Sequence, residues 1–193
     1  MRSLPSSFEE ALRALALWFE SDNVPYTTVG GLAVSLLGRP RATQDIDVVI
    51  WLGERSWEAF LRAGEDFGFE GRIADVLEFA ERSRVILLRH AASGISVDIS
   101  CGALPFESEM IERAQMLEAG GVRVKVPTPE DLIVMKAVAR RSKDLDDIEA
   151  LLRAHQALDL DRVRYWVGEF AAALETPEIL DGLERLLARR TGS

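Results

Sequence analysis

The segment that most constrains the fold is an apolar strand whose first residues are acidic. It runs from Asp45 to Leu52, and most of its residues after the second aspartate are β-branched or apolar, as in a buried strand. Successive side chains of a strand alternate between its two faces, so Asp45 and Asp47 project from one face while Ile46 points into the core. Two carboxylates are therefore expected to share one small volume.

A shared carboxylate volume predicts a metal site. Buried like charges are unfavourable unless a cation compensates them, and Mg²⁺ prefers carboxylate oxygens while leaving positions open for substrate phosphates. Asp98 lies in a second apolar segment and supplies a third oxygen ligand if the two strands are neighbours. Three acids on adjacent strands predict a site for two Mg²⁺ ions, with Mn²⁺ as the alternative, and in-line phosphoryl or nucleotidyl displacement. Taken alone, the aspartate pair also fits a strand that enters from a solvated loop.

The residues upstream of the acidic pair favour the metal site. Val24–Val29 has strand character, Gly30 and Gly31 break it, and residues 32–37 form a short apolar helix that ends at Gly38. Glycines let backbone N–H groups approach an anion closely, and a helix N-terminus carries the positive end of its dipole. The pattern indicates a cradle for the phosphates of a nucleotide, connected to Asp45 by a loop that contains arginines.

The remaining patterns predict an α+β chain with two domains. The first contains predicted helices over residues 6–19, 56–67, 76–82 and 106–119, an antiparallel hairpin of residues 85–88 and 95–99, and a strand over 122–126. From residue 128 onward only helical patterns appear. We therefore predict a small mixed or antiparallel sheet flanked by helices in a catalytic domain of residues 1–127. A C-terminal helical bundle of residues 128–193 follows it and is expected to complete the nucleotide site.

The charge of the chain argues against one class of function. A net charge of −9 does not suit a protein that coats nucleic acid non-specifically, because such binding depends on cations that neutralise phosphates. Local basic patches nevertheless occur, one formed by Arg39 and Arg41 and the other spanning residues 140–143. These patches are compatible with contacts to tRNA phosphates.

Histidine, cysteine and apolar content exclude further classes. With only His90 and His155, a histidine-based metal site or triad has almost no candidate ligands. The single cysteine, Cys101, cannot form an internal disulfide. No apolar run approaches the roughly 20 residues that span a bilayer, and the N-terminal residues lack the apolar stretch of a signal peptide. We expect a cytoplasmic protein with no membrane partner.

Two blocks of the sequence resemble a known family. The first comprises Val29–Val34, Leu37–Arg39 and Arg41–Val49, and the second comprises Pro129–Lys136 followed by Arg140–Ile148. Together they resemble the signature of polymerase-β-type nucleotidyltransferases. The likeness is greatest to the AbiEii/MenT group, toxins of bacterial toxin–antitoxin and abortive-infection systems. The resemblance covers about residues 24–152 of the chain.

The resemblance implies roles for the first block and for Asp98. Gly30 and Gly31 would bind the triphosphate, and Asp45 and Asp47 would hold both metal ions. Asp98 would be the third metal ligand and the base for the attacking hydroxyl group.

The resemblance also implies nucleotide contacts elsewhere. Arg41 and Thr43, in the loop before the acidic pair, would bind the nucleotide. Lys136 would contact its phosphates, and Asp144 or Asp147 would orient that lysine or the base end of the nucleotide. A cationic ammonium beside a developing negative charge stabilises a transition state. The alternatives are a lysine on the wet face of an amphipathic helix and two aspartates in a solvated first turn.

The function that the resemblance implies is magnesium-dependent transfer of a nucleoside monophosphate from an NTP to a hydroxyl acceptor. Pyrophosphate is the other product. For a toxin the acceptor would be a tRNA 3′ end or a protein side chain, and a cognate antitoxin would be a partner. One alternative is a small-molecule enzyme of the aminoglycoside or lincosamide type. Others are a non-catalytic nucleotide-binding regulatory module and a structural protein whose aspartates cap strands.

Overall fold

A computed structural model describes residues 4–40 and 42–191, with the side chains resolved up to Arg189. Along this part of the chain the elements follow in the order α1 (Ser6–Ser21), β1 (Tyr26–Thr28), α2 (Gly30–Leu37), β2 (Asp45–Ile50), α3 (Trp57–Glu65), β3 (Phe69–Gly71), α4 (Val76–Ser83), β4 (Val85–His90), β5 (Ser96–Cys101), α5 (Pro105–Glu112), β6 (Gln115–Ala119), β7 (Val122–Val126), α6 (Pro129–Ala139), α7 (Ser142–Ala154), α8 (Leu160–Ala173) and α9 (Glu178–Thr191). No described helix combines the length and apolar character that a membrane crossing requires.

The chain divides into two compact units. The first unit comprises the described residues up to Leu32 and those from 42 to 127. The second unit comprises Ala33–Pro40 and the residues from Thr128 onward. The sequence-based division placed Ala33–Pro40 in the catalytic domain. In the structure, the ring nitrogen Nε2 of His155 lies 2.6 Å from the carbonyl oxygen of Leu37, which attaches the end of α2 to α7.

The first unit is built on a five-stranded sheet with the order β1-β2-β5-β4-β3. β2 and β5 pair in parallel, whereas the other neighbouring strands are antiparallel. Alternate residues of the two parallel strands, among them Ile46, Val97 and Ile99, are fully buried, so the acidic residues between them lie on the opposite face. The predicted α+β class with a mixed, largely antiparallel sheet is confirmed.

Aromatic side chains hold α1 against the end of the sheet. The ring of Trp18 stacks on Phe60 of α3 at a centroid distance of 4.4 Å and on Phe69 of β3 at 5.4 Å. A Cβ atom at Gly64 would lie 2.6 Å from the Trp18 ring, so glycine is what lets α3 come this close. Because Trp18 is completely buried, this cluster is a main part of the apolar core.

The predicted helix over residues 106–119 is wrong in its second half. The helix α5 ends at Glu112, and Gln115–Ala119 forms the strand β6, which pairs with β7 in register from Ala119 and Val122 outward. The two residues between them, Gly120 and Gly121, have φ angles of +56° and +74°. Positive φ at both central positions gives the tight hairpin turn whose twist matches paired strands, and glycine adopts it without strain. The short strand β3 is a second element that sequence patterns did not predict.

The second unit contains no strand among its described residues, as the helical pattern predicts. The helices α6 to α9 enclose an apolar core that includes Leu132, Ile148, Val163 and Leu183. A buried ion pair joins α6 to α8, with Arg162 Nε donating to Asp131 Oδ1 at 2.8 Å. The expected C-terminal helical bundle is confirmed.

Candidate functional site

The acidic residues of the first unit lie side by side across two strands. Asp47 of β2 is the direct partner of Asp98 in the parallel register with β5. Neighbouring strands are about 4.8 Å apart, and paired residues project from the same face. Asp45 lies two positions earlier on β2 and therefore on the same face. The expectation that the two acidic strands are neighbours is confirmed, and the three carboxylates share one face of the sheet.

Gly30 approaches the middle carboxylate of this group. Its φ angle is +61°, and a Cβ atom built on it would lie 1.8 Å from Asp47 Oδ2 and 2.6 Å from Asp47 Cγ. Beside it, the N–H of Val29 donates to the carbonyl oxygen of Asp47 at 2.8 Å. A side chain of any size at position 30 would overlap the carboxylate. Glycine is therefore required here both by the backbone conformation and by the space.

The helix α2 begins earlier than the sequence pattern predicts. It starts at Gly30 rather than at Leu32, so both glycines belong to its first turn. The first four N–H groups of a helix have no partner within the helix, and the positive end of the dipole lies there. Backbone donors suited to an anion are thus located next to the Asp47 carboxylate.

The loop before β2 contributes a contact to the first aspartate. The hydroxyl group of Thr43 donates to Asp45 Oδ1 at 3.2 Å and to the Asp45 carbonyl oxygen at 3.0 Å. Thr43 therefore orients Asp45 in this structure, while its predicted nucleotide contact stays a prediction. Arg41, the other predicted nucleotide-binding residue of the loop, lies outside the described residues.

Arg72 is a site residue that sequence reasoning missed. Its guanidinium Nη2 donates to Asp98 Oδ1 at 2.6 Å. Arg72 follows the short strand β3 and precedes Asp98 by 26 positions, and no motif surrounds it. Only the pairing of β3, β4 and β5 brings the two residues together.

The side chains of Asp45, Asp47 and Asp98, which we call the acidic row, fit a hard divalent cation in their chemistry, because all three groups are carboxylates on one face. Within residues 4–40 and 42–191, however, no three carboxylate, histidine or cysteine side chains converge closely enough to hold a metal ion. One oxygen of Asp98 accepts from Arg72, and one oxygen of Asp45 accepts from Thr43. Coordination of one metal by all three groups therefore requires their carboxylates to come closer together than they are in this structure.

A second group of charged residues lies in the helical unit. Lys136 of α6 places Nζ 2.9 Å from Asp144 Oδ1 and 3.0 Å from Asp147 Oδ2, both on α7. Arg141 Nε donates to the other oxygen of Asp144 at 2.7 Å. Lys136 is only 4% exposed and both aspartates are completely buried. Neither the wet-face alternative for the lysine nor the solvated-turn alternative for the aspartates holds, whereas an aspartate that orients Lys136 agrees with these contacts.

The pKa of Asp144 reflects this surrounding. Burial by itself raises the pKa of this carboxyl group, but hydrogen bonds and charges from Arg141 and Lys136 outweigh it. The pKa of Asp144 therefore lies below its ordinary value. Asp144 is ionised in the folded protein, as its two cationic neighbours require.

The remaining candidates for nucleophilic chemistry lie outside the acidic row. Burial raises the pKa of the Cys101 thiol to about 12 in spite of the nearby Arg84, so the thiol stays protonated at neutral pH. The Nδ1 atom of His90 lies 2.8 Å from the Ser93 hydroxyl. Both side chains lie on the face of the sheet opposite to Asp47 and Asp98.

Comparison with known proteins assigns the family. Residues 6–178 match the sequence profile of a family described as nucleotidyltransferase of unknown function (DUF6036). The chain belongs to this family. It is therefore an enzyme of the nucleotidyltransferase class. No match was found among curated proteins.

Three solved structures share the fold of this chain. The chain is similar to an antigenic nucleotidyltransferase-like protein from Paracoccidioides brasiliensis, with a TM-score of 0.54, 18% identity and coverage of 92% of this chain and 94% of that chain. It is similar to the antibiotic-resistance factor ANT(2″)-Ia, with a TM-score of 0.57, 20% identity and coverage of 90% and 97%. It is also similar to the lincosamide antibiotic adenylyltransferase LnuA, with a TM-score of 0.53, 18% identity and coverage of 80% and 100%. At these identities the likeness shows the fold.

Replacing Lys136 in this nucleotidyltransferase by methionine is expected to lower the free energy of unfolding by about 3–5 kcal/mol, since it removes the buried ammonium group that lies against the buried carboxylates of Asp144 and Asp147. Chemical denaturation followed by circular dichroism measures this change. The matched control is Lys143→Met, because Lys143 is exposed at the start of α7 and should change stability by less than about 0.5 kcal/mol. Equal effects of the two substitutions would contradict a structural role for the buried ion pairs.

The stability that Asp144 contributes should depend on pH in one direction. Its pKa is lower in the folded protein, so its contribution is complete above the unfolded pKa of about 3.9 and is lost as the pH falls below it. We therefore expect the difference in unfolding free energy between the wild type and Asp144→Asn to be constant above about pH 5 and to shrink below about pH 4. Denaturation curves of both proteins at a series of pH values test this. If this difference in unfolding free energy grew as the pH falls, the pKa of Asp144 would not be lowered by folding.

Proposed function

We propose that this nucleotidyltransferase transfers a nucleoside monophosphate from an NTP to a hydroxyl group, using divalent cations held by Asp45, Asp47 and Asp98. The observation that carries the proposal is the pairing of Asp47 with Asp98, together with the approach of Gly30, where an added Cβ atom would overlap the Asp47 carboxylate. Carboxylates and backbone N–H donors are thereby adjacent, which suits a metal-bound triphosphate. Bound Mg²⁺, or Mn²⁺ in its place, would supply Lewis-acid stabilisation of the phosphoryl oxygens.

The residues around the acidic row have separate tasks in this proposal. The N–H groups of Gly30 and Gly31 donate to phosphate oxygens, because they lie in the first turn of α2. Asp98 accepts the proton of the attacking hydroxyl group, since its side chain is partly exposed and can reach an acceptor. Nucleotide contacts of Arg41, Thr43, Lys136, Asp144 and Asp147 stay predictions.

For the acceptor, we propose a tRNA 3′ end or a protein hydroxyl group, as in a toxin that acts in the cytoplasm and has a cognate antitoxin. The resemblance of Val29–Val49 and Pro129–Ile148 to the AbiEii/MenT group supports this choice. The exposed Arg39 and Arg140 provide positive charge that suits nucleic-acid phosphates or an acidic protein surface.

A small-molecule acceptor is the second candidate. It is favoured by the likeness of the fold to ANT(2″)-Ia, solved in complex with adenylyl-2″-tobramycin, and to LnuA, solved with lincomycin. The net charge of −9 also suits a cationic drug, because opposite charge steers a ligand toward a protein.

One labelling experiment separates these functions. The purified full chain is incubated with each α-labelled NTP, Mg²⁺ and either tRNA, total cellular protein, tobramycin or lincomycin, with Asp47→Asn in parallel. Label that the wild type alone attaches to tRNA or protein supports the first acceptor class, and label on an antibiotic supports the second. Label attached equally by both proteins, or by neither, contradicts the proposed activity. Tight NTP binding without pyrophosphate release would instead indicate a regulatory module.

A further inference from the structure

Arg72 lies in register with Asp47 and Asp98 across four neighbouring strands. Asp47 pairs with Asp98, and Asp98 pairs with Leu87 of β4. The N–H of Arg72 donates to the carbonyl oxygen of Leu87 at 2.9 Å, so Arg72 extends the pairing of β3 by one residue. Residues in register project from the same face. The register partners on this face are therefore, in order across the sheet, Asp47, Asp98, Leu87 and Arg72.

The arginine side chain bridges the width of a whole strand. Two strand spacings separate the backbones of Arg72 and Asp98, about 10 Å in total, and the extended side chain crosses Leu87 to reach Asp98 Oδ1 at 2.6 Å. The distance is that of a strong charge-assisted hydrogen bond. The contact thus occupies one of the two oxygens of a carboxylate that would hold a cation on the acidic row.

We propose that Arg72 and a divalent cation compete for the Asp98 carboxylate, which makes Arg72 a positioning residue of the active site. This inference rests on the metal-dependent function proposed above. A carboxylate oxygen that accepts a hydrogen bond from a guanidinium is less available to a metal ion. The positive charge of the guanidinium also weakens the attraction between the carboxylate and a cation. Because the guanidinium occupies one Asp98 oxygen and weakens the negative field of the whole carboxylate, Arg72 lowers the affinity of the acidic row for metal.

The size of the effect follows from the exposure of the pair. The side chains of Arg72 and Asp98 are 30% and 37% exposed, so the contact is partly screened by water and is weaker than a buried pair. Removing the guanidinium while keeping the side-chain length should tighten metal binding by about three- to tenfold. A lysine at position 72 keeps the positive charge but lacks the planar guanidinium. The metal affinity of Arg72→Lys should therefore lie between those of the wild type and of Arg72→Met.

The test uses Mn²⁺ alone as the probe. Free Mn²⁺ is measured by electron paramagnetic resonance in titrations of the full chain without nucleotide, for the wild type, Arg72→Met, Arg72→Lys and Asp98→Asn. Arg89→Met is the matched control, because Arg89 pairs with the carboxylate of Glu70 on the same face of the same sheet. The substitution removes an equivalent charge whose hydrogen bond goes to Glu70 and not to Asp98, and should change Mn²⁺ affinity by less than about twofold at 0.15 M salt.

The double variant Arg72→Met/Asp98→Asn shows whether the effect acts through Asp98. We expect Arg72→Met to bind Mn²⁺ more tightly than the wild type and the double variant to bind no more tightly than Asp98→Asn. Equal affinities of the wild type and Arg72→Met, or equal gains from Arg72→Met and Arg89→Met, would overturn the role of Arg72. If Asp98→Asn leaves Mn²⁺ affinity unchanged, the proposed metal site itself fails, and the competition fails with it. Circular dichroism verifies that each variant is folded.

Discussion

Asp47→Asn is expected to lower the rate of nucleotidyl transfer by at least about 10³-fold, equivalent to roughly 4 kcal/mol of transition-state stabilisation. Asp47 lies between Asp98 in the neighbouring strand and the backbone of Gly30, so in the proposed mechanism it is the carboxylate that holds both metal ions. An amide of the same shape keeps the packing but removes the charge that a metal ligand needs. Release of pyrophosphate and labelled acceptor measures the rate.

The control for this substitution is Asp66→Asn, which makes the same chemical change at an exposed residue after α3. Its rate should equal that of the wild type. Thermal unfolding of Asp47→Asn should be unchanged or shifted upward, because removing one of several neighbouring like charges relieves repulsion. If Asp47→Asn retains full activity, the acidic row is not the metal site and the assignment of its residues is wrong.

Gly30→Ala is expected to damage both the fold and the site. The new Cβ atom would lie 1.8 Å from Asp47 Oδ2, so either the carboxylate or the start of α2 must move. The φ angle of +61° adds backbone strain of about 1 kcal/mol for a residue that is not glycine. Since a displacement of about 1 Å can reduce a rate 10²-fold, we expect at least that loss of activity. Stability should fall by about 1–3 kcal/mol.

Gly94→Ala is the control that separates backbone strain from the displacement of a neighbouring side chain. Gly94 also has a positive φ, +71°, but a Cβ atom there would contact nothing within 4 Å. This control should show the backbone strain alone, with a loss of about 1 kcal/mol in stability and no loss of activity. Equal activity of the two variants would mean that the approach of Gly30 to Asp47 has no part in function. Urea denaturation together with the transfer assay gives both quantities.

Local patterns predicted a large part of this fold and failed where pairing decided the structure. The segment Gln115–Ala119 consists of residues with good helix propensity, yet it is the strand β6 because β7 and the glycine turn provide it with a partner. Propensity is a weak preference that tertiary context overrides. The three residues of β3 are too few to give a recognisable alternation, so their pairing with β4 could not be predicted from the segment itself.

By itself, the sequence determined that two aspartates share one face of a buried strand and that a glycine pair separates the preceding strand from the apolar helix. Both properties follow from local geometry, since alternation along a strand and the freedom of glycine need no distant partner. Only the tertiary structure decided that Asp98 is the register partner of Asp47, that Arg72 reaches Asp98, and that Lys136 is buried between two aspartates. Strand order, register and burial depend on contacts between residues that are far apart in the chain, which no local pattern encodes.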